Sequence, residues 1–269
     1  MPLLGIITCQ ILELEFAHLL AADRDIVNIT VVSNGYADGL VEALKNEGVT
    51  AISLVDETES RQAPRPDGVS ILVEVMQVGL HVSITLLRET VVAAVERTAP
   101  HVDGVLLGYG LCGNAMDPAA DLFSSVDVPV FLPMDDGHPV DDCVGMIIGG
   151  REAYYEEQLK TAGTMFMNAG FTRHWKEIML RGVGKTHGIE ALQRMMEDYE
   201  RTLALPTTVM SMEEMSPLIA EFNEMFGLRS EERVGTLEIL GSALASAKES
   251  LLAEKELKRG AGCRSRDIS

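Results

Sequence analysis

The chain has 269 residues, enough for one large domain with a full core or two modest ones. Acidic residues outnumber basic ones 41 to 22, a formal charge of −19. A surface this negative speaks against nucleic-acid binding, where Lys and Arg neutralise phosphates, and against docking on anionic lipid.

No apolar run approaches the roughly 20 residues that span a bilayer. The N-terminal MPLLGIITCQILELEF lacks a basic n-region and a small-residue cleavage site. It reads as a first strand rather than a signal peptide, and the chain as cytoplasmic. Scattered cysteines in such a chain are metal ligands, catalytic groups or core residues, not a disulfide scaffold.

Along the chain, 3–8 reads as a buried strand ending at Cys9. Residues 11–23 have helical spacing through Leu12, Phe16, Leu19 and Leu20. A strand over 27–33, a helix over 37–47 and a strand over 49–55 follow, then a polar loop over 56–68 with Pro64 and Pro66. Residues 69–78 are β-rich, and 83–99 form a helix that stops at Pro100. Strands are expected at 102–108 and 128–132, and one helix over 141–162, opened by Asp141 and Asp142. Further strands fit 164–168 and 203–210, and from Met212 on the pattern is helical. This alternation predicts an α/β fold: a mostly parallel, Rossmann-like sheet with helices on both faces and a helical C-terminal region. The expected division is a sheet domain over 1–210, helices over 211–258 packed on it, and a flexible tail over 259–269.

Cys9, Cys112 and Cys143 each follow a strand, at the edge where parallel sheets bind ligands. They are either buried core cysteines or a converging three-thiolate site. Such a site suits a four-iron cluster with one open iron, or a catalytic zinc with one exchangeable position. The dipole of the helix starting near Cys143 is expected to favour its thiolate. The glycines of GYGLCGN permit close backbone approach to a ligand, and equally a tight turn without one. The same segment formally matches GxGxxG, but it is not the first strand–helix turn, and Asp135 and Asp136 sit in a loop, so nucleotide binding is not expected. Residues 182–186 end like a phosphate-binding loop but lack its first glycine and its strand. The methionines of 195–225 read as core.

Thr8-Cys9, Leu80-His81, Gly108-Tyr109-Gly110-Leu111-Cys112-Gly113-Asn114, and Asp142-Cys143 with Gly149 together resemble the DUF1638 family of bacterial and archaeal proteins. The resemblance covers roughly 1–30 and 69–175. It departs where the family usually carries a His before the Asp-Cys pair, here Asp141, and residues 34–68 are longer. Family members often occur beside corrinoid-dependent methyl-transfer systems, which implies one-carbon metabolism.

The resulting expectation is a metal- or iron–sulfur-dependent protein acting on a small molecule, of methyl-transfer or lyase type. The alternative is a non-catalytic carrier or accessory of a corrinoid methyltransferase system. Cys9, Cys112 and Cys143 are assigned as ligands of a [4Fe–4S] cluster, slightly ahead of zinc. Gly108, Tyr109, Gly110, Gly113 and Asn114 are assigned to holding the bound group, and His81, Asp142 and His138 to acid–base work. His174 is a further candidate ligand, and Cys263 a bystander. Expected partners are a small-molecule substrate and a corrinoid protein or methyltransferase; a homo-oligomer is allowed.

Overall fold

The computed structural model describes residues 1–56 and 68–264, without the side chains of 82, 180–187 and 258–264. The loop expected over 56–68 and the Cys263 side chain therefore lie largely or wholly outside the described residues. Strand β1 (Leu3–Cys9) is buried along its whole length, as an uninterrupted apolar run must be when helices cover both faces of a parallel sheet. A 3-10 turn (Gln10–Leu12) leads into α1 (Glu13–Ala22), followed by β2 (Ile26–Val32), α2 (Asp38–Asn46) and β3 (Ile52–Val55). The chain then returns through β4 (Val69–Met76), α3 (Ile84–Thr98), β5 (Gly104–Gly108), the short α4 (Ala119–Leu122) and β6 (Val130–Phe131). The six strands are parallel, in the order β3-β2-β4-β1-β5-β6.

This order decides where a site can form. The chain leaves β1 toward β2 and leaves β5 toward β6, in opposite directions, although β1 and β5 are neighbours. The carboxyl end of the β1–β5 pair is therefore a topological switch point, where loops diverge and leave a crevice. The register sets Leu4 opposite Gly104 and Thr8 opposite Gly108.

A hairpin of β7 (Met134–Asp135) and β8 (His138–Pro139) precedes α5 (Cys143–Ile148) and α6 (Arg151–Lys160). The single helix expected over 141–162 is thus two. Gly149 and Gly150 both lie at φ +100°, a conformation that L side chains rarely adopt, and they turn the chain between the helices.

A second parallel sheet follows, built from β9 (Thr164–Met167), α7 (Ala169–Met195), β10 (Arg201–Ala204), α8 (Met212–Phe226) and β11 (Arg229–Glu232). Trp175 and Phe222 meet edge to face in its core, which also buries Met196, Met210 and Met215. The expected division at 210 falls inside this unit, because β11 pairs with β10. RSEE carries no apolar alternation, so its sequence does not read as a strand; backbone pairing at a sheet edge makes it one. Residues 182–186 lie within α7, with no strand-to-loop geometry for phosphate. Finally α9 (Glu238–Arg264) returns to the first sheet, burying Leu240, Leu244, Ala247 and Leu251 at helical spacing. Residues 259–264, expected in a tail, continue this helix. Among the described residues no helix is long and apolar enough to cross a membrane.

Arg201 ties the second sheet to α6. It donates to the Glu157 carboxylate at 2.9 Å, the Glu157 carbonyl at 3.0 Å and the Thr164 hydroxyl at 2.8 Å, and pairs with Glu231. Burial alone would raise the Glu157 pKa. Hydrogen bonds from Lys160, Arg233 and Arg201 overcome it and hold the carboxyl at about 2. Arg201→Leu leaves Glu157 only Lys160 and Arg233 and removes the buried link to Thr164, and should destabilise the fold by about 1–3 kcal/mol in a urea titration. In the unaltered protein the network's contribution is full above the ordinary Glu value of 4.5 and is lost as pH falls toward about 2.

Candidate three-thiol site

Cys9 is the last residue of β1 and only 5% exposed. One step beyond the Thr8–Gly108 pairing, the register brings Tyr109 alongside it. The Tyr109 hydroxyl is buried without a hydrogen-bond partner of good geometry, yet it acts on Cys9 closely enough to lower that thiol's pKa.

The chain after Tyr109 is laid onto the segment before α5. The Leu111 N–H donates to the Val140 carbonyl at 2.8 Å, and the Cys112 N–H to the Asp141 carbonyl at 2.6 Å. Gly110 makes this contact possible: a Cβ there would sit 2.6 Å from the Val140 oxygen and 2.7 Å from the Asp142 nitrogen. Cys112, at φ +46°, opens a run of left-handed residues through Gly113 and Asn114, both at φ +66°. A left-handed non-glycine residue persists only where its surroundings enforce it. Here Arg88 of α3 supplies that constraint, donating to the carbonyls of Ala115 and Asn114, each at 2.8 Å.

Asp142 caps α5, its Oδ1 accepting from the Gly145 N–H at 2.9 Å, and so sets Cys143 as the first helical residue. The Tyr154 hydroxyl donates to the other Asp142 oxygen at 3.4 Å. Tyr154 is itself fixed edge to face on Phe166, with ring centroids 4.7 Å apart.

The three thiols lie within electrostatic reach of one another. Burial pushes Cys9 up to about 11, opposed by the Ile11 N–H and Tyr109 and reinforced by Glu13. Burial, with the charges of Asp142 and Cys9, pushes Cys112 up to about 12. Cys143 is raised as well, by burial and then by Asp142, Cys112, Cys9 and Glu15. The expectation that a helix dipole would favour the Cys143 thiolate is therefore wrong. Helix α5 has only six residues, and its weak terminal field is outweighed by desolvation and by the carboxyl that caps it. Burial also raises Asp142, against the Gly145 and Val144 N–H groups. Desolvation lowers His81, against the charge of Asp142.

The structure brings Cys9, Tyr109, Cys112, Asp142 and Cys143 close enough to perturb one another's titration at the switch point, and the exposed His81 interacts with Asp142 from the rim. It leaves other assigned residues out. His138 is exposed on the β7–β8 hairpin, because the turn between these strands carries it outward. His174 is held at 3.2 Å by Glu13. Gly113 and Asn114 are exposed, and the Asn114 carbonyl serves Arg88. Asp135 accepts from the Arg151 N–H at 2.8 Å, so it caps α6 and is no ribose ligand. Among the described residues no group of three or more His, Cys, Asp or Glu side chains could hold a metal ion as placed. A cavity of about 560 Å³ lies beside β6, against Phe123, Phe131 and Ser242, and no thiol lines it.

Two site residues escaped the sequence reading, Tyr154 and Glu15. Tyr154 carries no local signal. Glu15 does: Leu12, Glu15, Phe16 and Leu19 follow i, i+3, i+4, i+7 spacing, so a carboxyl occupies a position of the apolar stripe. It is fully buried, and neither oxygen has a hydrogen-bond partner among the described residues.

Fold and site together define a doubly wound parallel α/β protein with a thiol cluster at its switch point. The sequence model of DUF1638, a protein of unknown function, matches residues 75–244, and the chain belongs to that family. The match spans Cys112 and Cys143, while Cys9 precedes it. No curated protein and no solved structure matches the chain.

Burial raises the Glu15 pKa from 4.5 to about 8. Between these values only the folded chain keeps the proton, so stability should fall as pH rises through that window. Glu15→Gln stays neutral and should flatten this slope. Urea midpoints of chelator-treated protein, compared at about pH 5 and about pH 8, check it.

Proposed function

We propose that Cys9, Cys112 and Cys143 hold a soft metal centre, a [4Fe–4S] cluster ahead of zinc, and that the protein acts on a small molecule in methyl-group chemistry. The observation supporting this is that three thiols, from the end of β1, the loop after β5 and the start of α5, lie near enough on the switch-point edge to influence one another's charge. The donor chemistry fits: three sulfurs suit a soft or borderline cation and leave one position open. Loading would remove the thiol protons. A bound centre would supply a Lewis-acidic position at which a thiol or similar methyl acceptor is ionised. His81, its pKa lowered, is neutral near pH 7 and can take up a proton beside Asp142. Asp142 in turn is oriented by Tyr154 and the Gly145 N–H.

The depth of Cys9, only 5% exposed, favours a second reading: a non-catalytic carrier or accessory of a corrinoid methyltransferase system. That partner is supported by the family resemblance alone. A solvent-open centre that turns over substrate separates the enzyme from the carrier.

Anaerobically purified protein should be brown, with broad absorption that bleaches in air. Colourless protein with about one zinc per chain would move thiol activation to first place, and protein with neither metal refutes the reading. Cys112→Ser should abolish metal binding and Cys263→Ser should leave it intact, because a hydroxyl is a poor substitute for a soft ligand. Equal metal content in Cys112→Ser and unaltered protein would refute the assignment.

A further inference from the structure

We propose that the open edge of the main sheet, at β6, docks an extended polypeptide segment of another protein, apolar at its centre and flanked by Lys or Arg. The inference is independent of the metal reading and starts from the backbone. The Val105 N–H donates to the Pro129 carbonyl at 2.9 Å, so residue 129 faces β5. Backbone groups alternate in direction along a strand. Val130 therefore turns its N–H and carbonyl away from β5, to a side where no described strand pairs. Proline often blunts such an edge by removing an outward donor. Here Pro129 stands at an inward-facing position, and the outward donor of Val130 is kept.

The cavity of about 560 Å³ lies on that edge. Helices α3 and α9 cover opposite faces of the sheet. A Cβ on Gly5 would meet Thr98 of α3, whereas one on Gly104, which pairs with the adjacent Leu4, would meet Leu251 of α9. Arg88 holds the segment leading into α4 on the α3 side. Ala120 and Phe123 line the cavity from that side, Ser242 and Ser246 of α9 from the other, and Val130 and Phe131 between them. A groove walled by both helix layers and floored by the edge of a six-stranded sheet is the place of a seventh strand. Backbone hydrogen bonds would fix such a strand, and its apolar side chains would fill the groove.

Charge names the occupant. No residue lining the groove is charged. Around it, exposed Asp121 follows Ala120 and exposed Asp127 precedes Val128, while from Thr98 to Gly150 the chain has no Lys or Arg. Exposed Glu238 stands one turn before Ser242 on α9. An apolar centre with cationic flanks complements this pattern. A second copy of the chain would set the same aspartates against each other, with a formal charge of −19 on each side.

Fluorescence polarisation of labelled synthetic peptides on the full-length protein tests this. The peptides share a valine-rich centre and carry either lysine or aspartate flanks. Lysine-flanked peptides should bind and aspartate-flanked ones should not. Val130→Pro removes the outward donor and leaves the bonds to β5, and Ser246→Trp fills the groove. Each should weaken binding at least about tenfold, with the urea midpoint little changed. Asp121→Lys combined with Asp127→Lys should weaken the lysine-flanked peptides and admit the aspartate-flanked ones. Full binding by Val130→Pro, or no binding of any peptide, would overturn the strand docking. So would a concentration-dependent dimer that Ser246→Trp abolishes, which assigns the edge to a second copy.

Discussion

The Leu111 and Cys112 N–H groups donate to the Val140 and Asp141 carbonyls, 2.8 and 2.6 Å away, and through these two bonds the loop after β5 is registered on the start of α5. Cys9 needs no such device, because the parallel pairing of β1 with β5 already sets it beside Tyr109. Cys112 and Cys143 lie 31 residues apart, on segments that no continuous sheet joins. Their meeting depends on backbone contact close enough to exclude a side chain at Gly110. The left-handed turn at Cys112 and its Arg88 clamp then follow as what is needed to present the thiol from a loop held so tightly.

Burial raises the proton affinity of each thiol at this edge, and Asp142 and the neighbouring thiols raise it further for Cys112 and Cys143, whereas the two tyrosine hydroxyls lower it for Cys9 and Asp142. The helix N-cap at Asp142 relieves part of this for one carboxyl. The contrast with the Arg201–Glu157 network is informative. There, three cationic side chains surround one carboxylate and hold it ionised. The first arrangement stores protons that a cation could replace, and the second is a closed structural joint.

The second sheet bears on the crevice from outside. Phe166 of β9 supports Tyr154, which reaches Asp142, and the start of α7 brings Arg173 and His174 to Glu13. The small unit therefore braces two walls of the site. Its own core, around Trp175 and Phe222, is a separate cluster.

Local pattern was sufficient for much of the fold. The strands at 3–9, 26–32, 69–76 and 104–108 and the helices between them announce themselves through apolar runs and 3.6-residue spacing, and the three cysteines stand out by following strand ends. Local pattern failed where the deciding contact is remote. The break at Gly149 and Gly150 needs the left-handed backbone of the folded chain. RSEE becomes β11 only because β10 offers it an edge. Glu15 looks like an ordinary first-turn acid until α1 is seated on the sheet. The helix dipole inferred at Cys143 is outweighed by desolvation, which depends on what covers the thiol. The sequence by itself thus determined the parallel α/β class and the edge on which the thiols lie, since both follow from short-range periodicity. Tertiary structure alone decided that those thiols, Asp142 and the tyrosines Tyr109 and Tyr154 influence one another's charge, because burial and electrostatic proximity belong to the packed chain and to no segment of it.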